Sequence, residues 1–214
     1  MELFRPYAEA GREIVCFSIS AGMSTSGNVM RLAAEELGAS DRIKVIDSAN
    51  LSTGIGLLVV EAAIMAKNNR TASQIVSEIE KLKPNVRASF VVDTLTYLYR
   101  GGRCNAVAAM AGGVLKLHPR IVVEDGAMNA SKKYRGKIAS VVMNYVKDME
   151  KDLKKARPER VFITHSGCEQ ETVEKVRAYL KELDIFDEIL ETRAGGVVSS
   201  HCGPGTLGVL YIAK

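Results

Sequence analysis

Several features of specialised chains are missing from these 214 residues. The four cysteines, at 16, 104, 168 and 202, contain no Cys-x-x-Cys pair and no signal peptide precedes them, so they read as reduced cytosolic thiols and not as a disulfide framework. No apolar run approaches ~18 residues, which argues against integral membrane association. Net charge is only +4, and the cations are scattered except for "KKYRGK" at 132–137, so nucleic-acid binding has no support. There is no P-loop string, no Gly-x-Ser-x-Gly elbow, no internal repeat and no low-complexity tract. What remains, 47% hydrophobic and 25% charged residues, is the ordinary balance of a globular protein.

Strand patterns at 13–19, 42–47 and 88–93 are separated by helical ones at 24–37 and 52–69. A third helix is announced by Thr71 and Gln74 at capping-box spacing, with Ile75, Val76, Ile79 and Leu82 as its apolar stripe. Such alternation predicts parallel strands joined by helical crossovers. The pattern then changes. A short helix, the Gly101-Gly102 turn and an Ala-rich helix ended by Pro119 precede a hairpin marked by Asp125-Gly126. A helix over 137–156, a strand at 160–166, a helix at 169–183, a strand at 186–192 and a last strand complete the chain. The sequence thus predicts an α/β domain over 1–93 and an α+β domain over 94–214.

Polar and turn-forming residues concentrate in "SISAGMSTSGN" at 18–28 and in "SSHCGPGTLG" at 199–208. The first joins a strand end to a helix start. Its Ser20, Ser24, Thr25 and Ser26 hydroxyls either cap that helix or line an anion cradle at its N-terminus, the edge where parallel sheets collect ligands. His201 is either a turn residue or an imidazole donor to an anion. "GPGTLG" matches a dinucleotide-binding string, but only six strand-like residues follow it, which rules out the helix that such a loop opens. His165, Cys168, His201 and Cys202 lack the paired spacing of a closed zinc site, and nothing orients a Cys–His nucleophile. No metal ligand and no catalytic residue is assigned.

"ISAGMSTSGN", "VIDSANLSTGIGLLVVEAA", "DTLTYLYRGGRCN", "LKLHP", "KKYRGK" and "SSHCGPGTLG" follow one another along the whole chain. As an ordered set they make the sequence resemble the DegV family. The resemblance implies a two-domain α/β fold that binds a long-chain fatty acid in an apolar tunnel, with helices 52–66 and 104–117 supplying lining and with no other cofactor. It implies a cytoplasmic protein that is not itself an enzyme but the acyl-carrying subunit of a fatty acid kinase, whose separate ATP-binding subunit converts the carboxylate to an acyl phosphate. It further implies carboxylate donors at Ser20, Ser24, Ser26 and His201, and a supporting loop at Gly203, Pro204 and Gly205. Arg135 and Gly136 would meet the partner or the phosphate, and Gly101, Gly102 and Arg103 would form a structural turn. The chain departs from the family pattern in lacking the upstream βα unit and Thr/Ser-rich loop, so its N-terminal part reads as truncated. Thr25-Ser26 also stands where the family has Gly-Thr. Two other readings are an acyl hydrolase or transferase using Ser24 or Cys202, and a ligand-free interaction module that docks through "KKYRGK".

Overall fold

The computed structural model describes residues 1–103 and 117–214. The Ala-rich helix predicted after Arg103, with Cys104, lies outside the described residues. The chain divides into two compact units, Met1–Pro84 with Asp125–Ala127, and Asn85–Glu124 with Met128–Lys214.

The first unit runs α1 (Arg5–Glu9), β1 (Ile14–Ser18), α2 (Ser26–Glu36), β2 (Ile43–Asp47), α3 (Thr53–Lys67) and α4 (Ala72–Leu82). β1 and β2 pair in parallel, from Ile14 opposite Ile43 to Ser18 opposite Asp47. Parallel pairing requires a crossover, which α2 provides, and it puts both strand ends at the edge where α2 begins. Ala34, Ala39 and Ile43 are buried beneath Phe4 and Ile14. α4 starts with the predicted capping box: Gln74 N donates to Thr71 Oγ1 (3.3 Å) and Thr71 N to Gln74 Oε1 (3.0 Å). α3 is largely apolar, though it buries Glu61 and ends in Lys67. Leu57 and Leu58 are wholly buried, whereas Val59 and Ile64 are exposed.

The second unit contains β3 (Val86–Val91), α5 (Thr96–Gly101), β4 (Leu117–Glu124), β5 (Ala127–Arg135), α6 (Ile138–Asp148), α7 (Glu150–Leu153), β6 (Ala156–Ser166), α8 (Gln170–Glu182), β7 (Glu188–Arg193), α9 (Gly196–Cys202) and β8 (Thr206–Ala213). They build a six-stranded sheet in the order β5-β4-β3-β8-β6-β7. β3 is antiparallel to β4 and β8, β6 is antiparallel to β8, and β6 and β7 are parallel. One face packs on α6 and α8 through Val141, Val142, Val146, Val173, Val176 and Leu180. At its centre Tyr145 is fully buried, its hydroxyl donating to Ser89 O (2.8 Å) and accepting from Val209 N (3.0 Å). That satisfies a polar tip that burial would otherwise penalise by a few kcal/mol.

Three expectations change. The division falls at Pro84/Asn85 and not at residue 93, because β3 pairs with β4 and β8 in the six-stranded sheet. The helix expected over 137–156 is interrupted at Met149, which separates α6 from α7, and strand β6 already begins at Ala156. His201 lies in a helix, α9, not in a loop. Among the described residues no helix is long and apolar enough to cross a membrane.

Candidate functional site

In the first unit, the segment between β1 and α2 folds back on itself. Ser20 N donates to Asn50 O (2.9 Å), and Met23 N and Ser24 N both donate to Ser20 O (2.9 and 3.1 Å). The Ser20 hydroxyl donates to Gly126 O (2.6 Å) and accepts from Gly22 N (3.2 Å). Its one hydrogen is therefore committed to the Asp125-Gly126 hairpin turn, and Ser20 pins the loop to that turn. Ser24 and Ser26 differ. Their hydroxyls are 2.7 Å apart, and Ser26 N donates to Ser24 Oγ (3.2 Å). Two hydroxyls share one bond, so one hydrogen stays free for an outside acceptor. If Ser26 Oγ donates to Ser24 Oγ, the free hydrogen is that of Ser24, polarised by the bond it accepts.

Thr25, at the N-cap of α2, makes no side-chain capping bond among the described residues; the Ser24 hydroxyl just before it takes the Ser26 N–H instead. Ser26 N is taken by Ser24 Oγ and Asn28 N by Thr25 O, so what the helix start offers an anion is chiefly its partial positive charge. A residue that sequence reading did not single out lies beside it. Ser18, the last residue of β1, is 3% exposed, and its hydroxyl has no hydrogen-bond partner among the described residues. A β-carbon at Gly27 would come 2.7 Å from Ser18 Oγ. Only glycine lets α2 come down so closely on the strand end. The serine cluster itself was the one available signal, since nothing local links position 18 to position 27.

In the second unit, His201 sits in the last turn of α9, half-buried, with its ring against Gly101 at the end of α5. Gly102 closes α5 in the left-handed region (φ +62°), and Arg103 Nη1 donates to Gly101 O (2.8 Å). Of this turn, Gly101 lies against the imidazole. After α9, Gly203 (φ +79°) packs its α-carbon on the Tyr97 ring. Gly205 (φ +77°) brings its backbone to Asp93, where a β-carbon would meet Asp93 Cβ at 3.3 Å, and its N–H donates to Ser166 O (2.8 Å). Pro204, between them, is exposed. Both glycines hold conformations that an L side chain adopts only at a cost of about 1–2 kcal/mol.

The basic hairpin strand is only partly engaged. Lys132 Nζ (2.6 Å) and the Tyr134 hydroxyl (2.8 Å) both donate to Asp148 Oδ2, anchoring β5 to the end of α6. Arg135 is exposed and has no hydrogen-bond or ion-pair partner among the described residues, and Gly136 follows at φ +122°.

Cys202 is 5% exposed, and burial pushes its thiol pKa up, as it does for Cys16 and Cys168. A thiol held protonated is a poor nucleophile. His165 Nε2 pairs with Glu191 Oε1 (3.2 Å), and no group of three metal-ligating side chains occurs among the described residues.

The model of the DegV family, described as an uncharacterised protein family, matches residues 1–214. A DegV domain-containing protein of Clostridium perfringens is 32% identical over 99% of this chain and 74% of its own length. A solved structure of a DegV family protein from Thermus thermophilus, described by its fatty acid binding, superposes with a TM-score of 0.88. It is 26% identical over 100% of this chain and 75% of that one. DegV of Bacillus subtilis, described as a fatty acid binding protein, gives a TM-score of 0.79 at 28% identity, over 100% of this chain and 76% of that one.

Proposed function

The chain belongs to the DegV family, and from that premise we propose that it binds a long-chain fatty acid, with the carboxylate held by Ser24 and His201. The observation that carries the reading is the Ser24–Ser26 hydroxyl pair at the start of α2, which offers one unused hydroxyl hydrogen to an anion. His201 adds an imidazole donor whose ring lies against Gly101. The apolar side supports a lipid as well. The largely apolar α3 leaves Val59 and Ile64 exposed while it buries Leu57 and Leu58, apolar surface that an acyl chain could cover. Burying about 15 methylenes at roughly 0.8 kcal/mol each amounts to about 12 kcal/mol before ordering costs, enough to retain the ligand through purification.

The acyl chain is presented, in the cytoplasm, to a separate ATP-binding kinase subunit. There a carboxylate oxygen forms a bond to the γ-phosphorus of ATP, the bond from that phosphorus to the β,γ-bridging oxygen breaks, and ADP departs, leaving an acyl phosphate. Arg135, exposed and without a side-chain partner among the described residues, would meet that phosphate or the partner, since guanidinium pairs bidentately with phosphate oxygens. The chain contributes binding and orientation, not the phosphoryl donor.

Denaturing mass spectrometry of the purified protein tests this reading. Release of non-covalent long-chain fatty acid is expected. A covalent acyl adduct on Ser24 would point instead to acyl transfer, and an extract without lipid, unchanged after incubation with fatty acid, would refute the proposal.

A further inference from the structure

His118, in the "LKLHP" segment, is buried with both ring nitrogens facing backbone carbonyls. The side chain is 4% exposed, in β4. Its Nδ1 is 3.1 Å from Val92 O and its Nε2 is 3.0 Å from Gly136 O. Both partners are carbonyl oxygens, which only accept. A neutral imidazole carries one hydrogen on its two nitrogens, so it can satisfy one carbonyl while turning a lone pair on the other. Both bonds exist together only when both nitrogens carry hydrogen. A counter-charge is at hand: Asp93 Oδ1 lies 3.7 Å from the same Nδ1. Of the cations nearest in sequence, Arg120 is turned over the Tyr145 ring, 5.6 Å from its centroid.

From this geometry we propose that His118 is a doubly donating imidazolium that clamps the Arg135-Gly136 turn to the end of β3, and so acts as the positioning residue for Arg135. The turn needs such a clamp. Gly136 adopts φ +122°, a conformation open in practice to glycine alone, and a β-carbon there would point into open space. The bond between the His118 ring and its carbonyl ties this turn to the sheet. The same imidazole reaches Asp93, against which Gly205 packs, so the turn carrying Arg135 and the loop after His201 are tied to one corner of the sheet.

The functional side of this inference rests on the role proposed for Arg135, but the clamp can be tested without it. In the intact protein at neutral pH, ¹⁵N spectra of the His118 ring should show both nitrogens protonated. Amide exchange across 135–137 should rise about tenfold to a hundredfold in His118→Leu, the loss of one charge-assisted bond. His118→Lys, which keeps a cation and several donors, should restore slow exchange and full acyl-phosphate formation. A ring with one bare nitrogen would overturn the proposal even if every variant failed to fold. Fast exchange in both variants, or in neither, would do the same. Clamp data as expected, together with unimpaired phosphorylation in Arg135→Ala, would instead remove the role given to Arg135.

Discussion

The imidazole of His201 occupies the space that any side chain at Gly101 would need. Gly101 is not in the left-handed region, so its conformation does not demand glycine; the ring of His201 does. Gly101→Ala is therefore expected to push the ring aside while leaving α5 intact, since alanine is the better helix former. Affinity for a long-chain fatty acid should fall about tenfold to a hundredfold, the cost of losing one donor to a buried carboxylate. Calorimetric titration reads this directly, and wild-type affinity in the variant would show that the ring position does not matter to binding.

A second contact of the same kind lies between Ser18 and Gly27. Gly27→Ala should destabilise the protein by about 1–3 kcal/mol, because α2 must lift off the strand end. Ser18→Gly should recover much of that loss in the double variant, since it removes the atoms that clash, giving marked non-additivity in urea denaturation. Additive effects would mean that the close approach is relieved elsewhere.

The site was legible in the sequence in unequal parts. Local chemistry carried the readings that held: Thr71 and Gln74 sit at the one spacing that closes a capping box, and Asp125 and Gly126 both adopt positive φ in the hairpin turn, as that dipeptide predicts. Choice of strand partner is not local. β3 is apolar like any central strand, and nothing within its six residues says that it joins β4 and β8. The apolar stripe continues from Ile138 to Leu153, so the interruption at Met149 left no trace of Gly or Pro. α9 is poor in helix formers and is held by packing on α5, which explains why His201 read as a loop residue.

Asp148 gives a pH signature. Burial acts to raise its pKa, but hydrogen bonds from Lys132 and Tyr134 outweigh that and hold it below the ordinary value of 3.8. A carboxyl depressed by folding stabilises the fold above its unfolded pKa, and that contribution disappears as pH falls through the folded value. Asp148→Asn should therefore be less stable than wild type at pH 7, with the difference shrinking below about pH 4. A constant gap across that range in denaturant titrations would contradict the assignment.

Arg135→Ala separates binding from phosphoryl transfer. Fatty acid affinity should be unchanged, because Arg135 is exposed and engages no neighbour among the described residues. Acyl-phosphate formation with the partner kinase should slow by at least tenfold, the scale of one lost charge-assisted contact. Equal loss of both would assign Arg135 to the ligand itself.

The most direct test compares a long-chain fatty acid with the alcohol of the same chain length, titrated into wild type, Ser24→Ala, His201→Ala and the double variant. The acid should bind about tenfold to a hundredfold more weakly to each single variant, with non-additive loss in the double one because both donors serve one carboxylate. The alcohol should scarcely distinguish the four proteins. Wild-type affinity for the acid in both single variants would show that Ser24 and His201 do not hold the carboxylate.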